Sequence, residues 1–291
     1  MSETLEPLIR PALYVVATPL GNLGDLSSRA LQVLRRVDLI AAEDTRHSSR
    51  LTHHFGITVK MVSYHDYNAP GREQALLRTL QAGKAVALIS DAGTPLISDP
   101  GYRLVRSVRD AGIRVIPVPG PSALTAALSV AGMATDRFAF EGFPAAKTTA
   151  RRQQFQGLAS YTGTLVFYES PHRIVESIKD MVEVFGGQRR AVICRELTKT
   201  WETIQEASLA GLVEWLNADD NHRRGEFVVL VQGAEKVVDE GLDEQKLHVL
   251  RVLMRELPLK RAAAVAAELT GGKKNAFYRR GLELNEADSD A

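Results

Sequence analysis

Acidic, glycine and proline residues are concentrated in the twelve positions that follow the apolar run Ala85–Ile89. These positions, Ser90–Gly101, read Ser-Asp-Ala-Gly-Thr-Pro-Leu-Ile-Ser-Asp-Pro-Gly. Glycine adopts backbone conformations that other residues avoid, and proline fixes φ and removes a hydrogen-bond donor. The segment therefore predicts a rigid loop whose backbone can lie close to a ligand, although a tight turn between strand and helix would have a similar composition.

Comparable loops follow other predicted strands, and each has a simpler explanation as a turn or helix cap. They are Thr18–Asp25, Glu43–Arg46, Pro119–Ala123, Phe167–Pro171 and Arg195–Lys199. In open α/β sheets, ligands bind outside the carboxyl ends of the strands. Because the loops occupy this position in two successive α/β units, we predict that they line one cleft between the units. Arg46 does not suit the amino terminus of a helix, so it indicates an anionic partner.

The composition is that of a soluble globular protein: 45% of the 291 residues are hydrophobic, 24% are charged, and the net charge is +1. Cys194 is the single cysteine, which excludes intrachain disulfides and fits a cytoplasmic location. Val115–Thr135 carries no charge, but three prolines near its start predict a strand, a turn and a helix instead of a membrane span. The sequence has no dinucleotide fingerprint, P-loop or zinc-protease motif, and we predict no metal site.

Short apolar runs alternate with amphipathic stretches, which predicts a largely parallel first sheet with helices on both faces. Its predicted strands are Leu13–Ala17, Leu39–Ala42, Val59–Ser63, Ala85–Ile89 and Arg114–Pro117. Those of the second sheet are Phe138–Glu141, Thr164–Tyr168, Ala191–Arg195, Glu202–Glu206 and Glu226–Val231. Only a few residues separate the third and fourth strands of the second sheet, so these two should be antiparallel.

The predicted fold class is therefore α/β, with two consecutive α/β domains at 1–118 and 119–235 and a cleft between them. A polar, acidic linker at 235–243 would lead to a small helical domain at 243–285. Its predicted helices are Glu244–Glu256, Lys260–Leu269 and Asn275–Leu284. Pro258 would separate the first two, and Gly271-Gly272 would end the second through a left-handed backbone.

The helical domain is locally basic. Between Leu257 and Gly281 it has one acidic residue, Glu268, and six basic residues: Lys260, Arg261, Lys273, Lys274, Arg279 and Arg280. The spacing of Ala263, Ala267 and Gly271 resembles a helix-turn-helix, in which basic side chains could bind phosphates. A helical cap with a solvated basic face would have the same pattern. Lys147, Arg151 and Arg152 could extend the positive surface.

Eight segments in order carry a family resemblance that covers nearly the whole chain. They are Leu20–Asp25, Ala42–Arg46, Ser90–Gly101, Pro117–Ser122, Phe140–Phe143, Phe167–Ser170, Arg195–Glu202 and Leu257–Ala262. With these segments the chain resembles the tetrapyrrole methylase superfamily of S-adenosylmethionine-dependent methyltransferases. Within it, the chain is similar to the branch that methylates the ribose 2′-hydroxyl of a cytidine in small-subunit (16S) rRNA.

The resemblance implies that S-adenosyl-L-methionine binds in the cleft and that the protein forms a homodimer. On the methionine side of this methyl donor it implies Ser90, Asp91, Ala92, Gly93, Thr94, Pro95, Ser122 and Ala123. On the adenosine side it implies Phe167, Tyr168, Arg195, Glu196, Leu197, Glu226 and Phe227. For catalysis we predict Asp44 as the base, with Glu43 second, because both end a strand that faces the cleft. Arg46 and Lys199 would contact phosphates.

Two other functions are compatible with the sequence. One is a methyltransferase acting on tetrapyrroles or other small molecules in cofactor biosynthesis, which would not need the basic helices. The other is a non-catalytic RNA-binding assembly factor, which would not turn over the methyl donor. For the rRNA methyltransferase, both naked rRNA and the assembled 30S subunit are possible substrates. We expect no association with membranes.

Overall fold

The computed structural model describes residues 7–65, 69–235 and 242–289. The chain forms two compact units, residues 1–234 and 235–291. The first unit contains two five-stranded sheets, and the second contains helices. The α/β fold class with a carboxyl-terminal helical region is thereby confirmed. The predicted boundary between residues 118 and 119 stays a prediction, and most of the predicted linker lies outside the described residues.

The first sheet is parallel throughout and has the order β3-β2-β4-β1-β5. Its strands are β1 (Ala12–Val16), β2 (Leu39–Ala42), β3 (Met61–Ser63), β4 (Ala85–Ile89) and β5 (Arg114–Val118). β4 is buried along its whole length, as expected of a central strand covered on both faces. The parallel order brings the carboxyl ends of β2, β4 and β1 next to one another.

Helices cover both faces of this sheet, as predicted. They are α1 (Ser28–Arg36), α2 (Thr45–His54), α3 (Ala69–Gln81) and α4 (Tyr102–Asp110). On one face Leu34 of α1 packs with Val16 and Ile89. On the other, Leu80 of α3 and Leu104 of α4 pack with strand residues of alternate positions. The alternation follows from the two-residue period of a strand.

The second sheet is mixed and has the order β6-β7-β10-β8-β9. Its strands are β6 (Phe138–Phe140), β7 (Thr164–Glu169), β8 (Arg190–Arg195), β9 (Thr203–Ser208) and β10 (Phe227–Val231). β6 and β7 are parallel, whereas β10 is antiparallel to both β7 and β8. β8 and β9 are antiparallel, which confirms the prediction from their short connection.

Four helices complete the first unit: α5 (Ala123–Val130), α6 (Thr148–Leu158), α7 (Ile174–Phe185) and α8 (Leu209–Ala218). α6, α7 and α8 cover one face of the second sheet, and α5 covers the other through Ala127. The uncharged segment Val115–Thr135 is divided between β5 and α5, as its prolines predict. In the described residues no helix has the length and apolar character that crossing a membrane requires.

The second unit consists of α9 (Glu244–Glu256), α10 (Leu259–Thr270) and α11 (Lys274–Ser289). Its core contains Leu250, Phe277 and the small side chains of Ala262, Ala263 and Ala266. Pro258 caps α10, which ends at Gly271 with a φ of 72°, as the sequence predicts. α10 and α11 are therefore joined by a short glycine turn, the arrangement expected of a helix-turn-helix.

Candidate functional site

A cavity of about 390 Å³ lies where the loops of the first sheet face the second sheet within the first unit. Leu20 follows β1, Glu43 follows β2, and residues 91–94 and 97–99 follow β4. Tyr168 of β7, Cys194 of β8 and Val228 of β10 form the opposite wall. Those three residues are paired across neighbouring strands, so their side chains share one face of the sheet. The predicted cleft at the ends of the strands therefore exists.

The loop Ser90–Gly101 is fixed by its neighbours on either side. The Thr18 and Gly93 backbones exchange hydrogen bonds of 2.9 and 3.0 Å. Thr94 Oγ1 donates to the carbonyl oxygen of Pro121 at 2.9 Å, and Ser90 is 2% exposed beneath the loop. Gly93 has a φ of 83°, which an L side chain rarely adopts. The loop thus presents Ala92, Gly93 and Thr94 to the cavity as a preformed wall.

Three carboxylates face this cavity from the first sheet: Glu43, Asp91 and Asp99. The backbone N–H of Asp91 donates to Glu43 Oε2 at 3.3 Å. The N–H of Asp44 donates to Asp91 Oδ1 at 3.0 Å. Burial, with smaller contributions from Glu43 and Asp91, raises the pKa of Asp99 to about 6, although a hydrogen bond from Ser90 favours its ionised form.

Asp44 caps the amino end of α2, beside these three carboxylates. It accepts from the Arg46 N–H at 2.8 Å and pairs with the Arg46 guanidinium at 2.9 Å. The hydrogen bonds from the Arg46 side chain and backbone lower the pKa of Asp44 to about 2. Asp44 is not among the residues that line the cavity, whereas Glu43 is. The side chain of Arg46 is 91% exposed, so it could contact a large anion from solvent.

Aromatic side chains border the opposite wall. Tyr168 contacts Phe140 and Phe143 edge to face, with ring centroids 4.7 and 5.7 Å apart. Its hydroxyl accepts the N–H of Leu124, in the first turn of α5, at 3.0 Å. Burial raises the pKa of Tyr168, so the phenol is neutral at physiological pH. Phe167 lies on the other face of the same strand, in the core beside Phe155.

The loop after β8 reaches the first sheet through Lys199. Its ammonium pairs with Glu196 at 2.9 Å and with Glu226 at 2.8 Å. Burial favours the neutral amine, but the two hydrogen bonds raise the pKa of Lys199. A Cβ on Gly21 would lie 2.4 Å from Lys199 Cγ, which explains a glycine in the loop after β1.

Most of the residues predicted to bind the methyl donor meet at the cavity. Those that line it are Asp91, Ala92, Gly93, Thr94, Ser122, Ala123, Tyr168, Leu197, Glu226 and Phe227. Five others do not: Ser90 and Pro95 support the loop, Phe167 is in the core, and Arg195 and Glu196 line a second cavity. Sequence reasoning missed Asp99, Glu169 and Ser170, which also line the first cavity. Asp99 could have been found, because it belongs to the same acidic, glycine- and proline-rich loop.

The second cavity, of about 610 Å³, lies beside the β8–β9 turn. Its wall includes Trp201, which is 72% exposed, and His222. Arg195 donates to the carbonyl oxygens of Arg224 at 2.7 Å and Trp201 at 3.0 Å. Its guanidinium therefore holds two loops together.

The predicted RNA-binding side chains are all exposed in the helical unit: Lys260, Arg261, Lys273, Lys274, Arg279 and Arg280. Arg280 pairs with Glu283, and the exposed ring of Tyr278 lies close to it in sequence. By contrast, the prediction that Arg151 extends a positive surface is wrong. Arg151 is 3% exposed and pairs with Asp180 between α6 and α7, because a buried carboxylate needs a compensating cation.

Comparison with known families matches the two units separately. Residues 12–213 match the family described as Tetrapyrrole (Corrin/Porphyrin) Methylases, and residues 240–285 match the RsmI C-terminal HTH domain. The chain belongs to the tetrapyrrole methylase family, whose members use S-adenosylmethionine as the methyl donor.

Comparison with individual relatives identifies the branch of this family to which the chain belongs. It is 52% identical to the ribosomal RNA small subunit methyltransferase I of Vibrio cholerae, over 94% of this chain and 95% of the relative. It is 55% identical to the protein of the same name from Pseudomonas aeruginosa, over 93% and 96%. The branch of the family to which the chain belongs is therefore that of ribosomal RNA small subunit methyltransferase I.

Solved structures share the fold. A uroporphyrin-III-C-methyltransferase from Thermus thermophilus superposes with a TM-score of 0.56 at 18% identity, covering 77% of this chain and 94% of that one. A diphthine synthase superposes with a TM-score of 0.58 at 14% identity, covering 76% and 90%.

The chemistry of the cavity fits the methyl donor. S-adenosylmethionine carries a cationic sulfonium and a cationic amine, so it favours acidic surroundings. The described residues that line the cavity include five carboxylates and no Lys, Arg or His. Glu169 is paired with Arg173 and Glu226 with Lys199, and Glu43, Asp91 and Asp99 add three further carboxylates to the cavity wall. The described residues contain no cluster of three or more His, Cys, Asp or Glu that could hold a metal.

Proposed function

We propose that the protein transfers the methyl group of S-adenosylmethionine to the ribose 2′-hydroxyl of a cytidine in small-subunit rRNA. The observation that carries this proposal is the occurrence in one chain of an acidic cavity in a tetrapyrrole methylase fold and a basic helix-turn-helix unit. A methyltransferase for small tetrapyrroles has no use for the second feature. The names of the relatives support the same substrate.

We assign donor binding to both walls of the cavity. When bound, S-adenosylmethionine supplies an electrophilic methyl group on its sulfonium. Asp91 and the backbone of Ala92 and Gly93 would lie against the cationic side of the donor. Ser122 and Ala123 lie at the amino end of α5, where the helix dipole favours a carboxylate. Tyr168, Leu197 and Phe227 would enclose the adenosine in an apolar pocket.

In this proposal, Arg46 and Lys199 bind phosphates of the RNA. Arg46 is exposed beside the cavity and Asp44 fixes its guanidinium, so we assign Arg46 to a phosphate of the RNA and Asp44 to its positioning. Lys199 is held by two carboxylates, and a phosphate would have to compete with them. The basic side chains of the helical unit would contact further phosphates, independently of sequence.

The remaining assignments concern assembly and location. We propose that the protein acts as a homodimer in the cytoplasm and that its substrate includes the assembled 30S subunit. Exposed apolar side chains of the first unit, Val130 and Phe138 among them, support a contact with a second copy. Sedimentation at micromolar concentration should give twice the 31.9 kDa mass of one chain; a monomer would contradict the dimer.

A substrate panel tests the function. The purified protein is incubated with S-adenosylmethionine labelled in its methyl group and with naked small-subunit rRNA, 30S subunits lacking the modification, or a uroporphyrinogen. We expect label in the RNA or the subunits and none in the tetrapyrrole. Label in the tetrapyrrole alone would support small-molecule methylation. Donor binding without turnover on any substrate would support an assembly factor.

A further inference from the structure

Asp99 occupies a distinctive place in the cavity wall. It is half-buried at the end of the loop that follows β4, and it lines the cavity opposite Tyr168 and Glu169. Its neighbour Ser98 approaches the second sheet, since a Cβ on Gly142 would lie 3.3 Å from Ser98 Oγ. Asp99 therefore lies where the loops of the two sheets meet, in the wall of the cavity to which we assign the donor.

The backbone that carries Asp99 is strained. Leu96 has a φ of 75° and Ser98 a φ of 65°, in the left-handed region that is unfavourable for a non-glycine residue. Gly101 has a φ of 136°, and a Cβ there would lie 2.9 Å from Leu88 Cδ2. Such strain persists only where surrounding structure enforces it, and it concentrates at functional sites. Asp99 lies between Ser98 and Gly101 in this strained stretch, and it lines the cavity.

The groups that face Asp99 leave it able to gain and lose a proton. Glu43 after β2 and Asp91 after β4 are close enough to repel its negative charge, and the Ser90 hydroxyl hydrogen-bonds the carboxylate. From the second sheet, Tyr168 is close enough for the negative charge of Asp99 to contribute to its raised pKa. Glu169 and Glu226 on that side are engaged by Arg173 and Lys199. Among the described cavity residues, no cationic side chain fixes Asp99 in the ionised form.

We propose that Asp99 is the general base of the methyl transfer and accepts the proton of the ribose 2′-hydroxyl; this role rests on the proposed function. The ribose oxygen forms a bond to the methyl carbon while the carbon–sulfur bond breaks, and the electron pair of that bond stays on sulfur. The hydroxyl proton moves to Asp99, which releases it to water after the product leaves. Charge and atoms balance without a metal or a further reactant.

The other carboxylates are less suited to this step. Asp44, the base predicted from sequence, is paired with Arg46, and its pKa of about 2 makes it a weak proton acceptor. Glu43 and Asp91 accept backbone N–H groups and so hold the loops after β2 and β4 together. Asp99 combines access to the cavity with a pKa of about 6, and a base is most effective when its pKa lies near the working pH.

The test compares Asp99→Asn with two matched variants. Asp110→Asn changes an exposed carboxylate of α4 that pairs with Arg106, and Asp44→Asn removes the competing candidate. Single-turnover methylation of 30S subunits is measured between pH 5 and 9 with saturating S-adenosylmethionine. Calorimetry gives the affinity of each variant for the donor and shows that the variant is folded. Carbon-13 NMR of aspartate-labelled protein without substrate follows the titration of its carboxyl groups.

We expect Asp99→Asn to bind the donor within about threefold of the wild type and to methylate about 10²–10⁴-fold more slowly. The wild-type rate should rise with pH around 6 and then level off, and this inflection should disappear in Asp99→Asn but remain in both matched variants. A carboxyl resonance that titrates near pH 6 should be missing only from Asp99→Asn.

Two results would overturn the proposal. One is an unchanged rate and pH profile in Asp99→Asn; the other is a large loss of donor affinity with a normal rate at saturation, which would make Asp99 a donor-binding group. Failure of the proposed function would look different, because the wild type itself would then leave the subunits unmethylated. The NMR titration would still report whether Asp99 has the proton affinity of a base.

Discussion

At the scale of single residues, the cavity and its edge contain carboxylates of the same type whose surroundings give them different roles. Asp44 is hydrogen-bonded by an arginine and stays ionised, whereas Asp99 is half-buried beside other acids. The sequence reveals that both residues are present, but their proton affinities depend on neighbours that can be 40 or more positions away, such as Glu43 beside Asp99. For this reason sequence reasoning could find the acidic loop but not its most basic carboxylate.

The raised pKa of Asp99 predicts a stability change of definite sign. Between pH 4 and 6 the native carboxyl keeps its proton while the unfolded one loses it, so stability falls as pH rises. Asn does not titrate. Asp99→Asn should therefore be more stable than the wild type at pH 8, by about 1–2 kcal/mol after allowance for partial exposure, and the gain should vanish near pH 4.

Urea unfolding of both proteins at pH 4 and pH 8 measures this difference. At each pH the free energy of unfolding of the wild type is subtracted from that of Asp99→Asn. A smaller difference at pH 8 than at pH 4 would contradict the raised pKa of Asp99. Asp110→Asn, whose carboxylate is exposed, provides the control and should show no comparable dependence on pH.

At the scale of elements, the strands were predictable where they are short apolar runs, and β2 and β4 have the predicted bounds. β3 begins two residues later than predicted, at Met61. The insertion of β10 between β7 and β8 was not predictable, because its partners lie 30 or more positions earlier in the chain. The sequence also does not show which face of β7 lines the cavity. Phe167 and Tyr168 were therefore both predicted beside the donor, although Phe167 lies in the core.

The strained loop after β4 predicts a specific role for Gly101. Ala at this position would combine an unfavourable φ with a contact to Leu88. We expect Gly101→Ala to lose about 1–3 kcal/mol of stability and to bind S-adenosylmethionine about tenfold more weakly, because the loop that lines the cavity must shift.

Gly112→Ala is the matched control for this prediction. Gly112 has a φ of 72°, but a Cβ there would meet no atom within 4 Å. Gly112→Ala should therefore lose some stability, as measured by urea unfolding, and keep the donor affinity of the wild type, as measured by calorimetry. Equal donor affinities for the two variants would show that the conformation of the loop does not control the cavity.

At the scale of the whole molecule, the chain combines two units with different surfaces. The donor cavity is acidic, and the six predicted RNA-binding side chains of the helical unit are exposed and basic. The sequence showed both features in outline, since the helix-turn-helix spacing and the loops at strand ends are local patterns. The net charge of +1 conceals the contrast, because it averages over the chain.

This division predicts that RNA and donor binding are separable. Replacing Lys260, Arg261, Lys273 and Lys274 by Ala should weaken binding to small-subunit rRNA. The slope of log affinity against log salt should fall by about 0.7–0.9 for each RNA phosphate that the variant no longer neutralises. Donor affinity should not change. Lys84→Ala, which replaces an exposed lysine of the first unit, should leave both unchanged.

Removing Asp243–Ala291 should have the same selective effect in a stronger form. The truncated protein should bind S-adenosylmethionine as the full chain does and methylate RNA poorly. Loss of donor binding on truncation would instead assign the helices a structural role in the first unit. For the variant in which Lys260, Arg261, Lys273 and Lys274 are replaced by Ala, an RNA affinity with the salt dependence of the wild type would exclude these side chains from the RNA interface.

The position of the transferred methyl group is the most direct test of the proposed activity. Small-subunit rRNA from cells lacking the modification is incubated, within 30S subunits, with the protein and S-adenosylmethionine carrying a deuterated methyl group. It is then digested to nucleosides for mass spectrometry. We predict one deuterated methyl group on the ribose of a cytidine and none on its base. A label on the base, or unlabelled rRNA, would contradict a ribose 2′-hydroxyl methyltransferase.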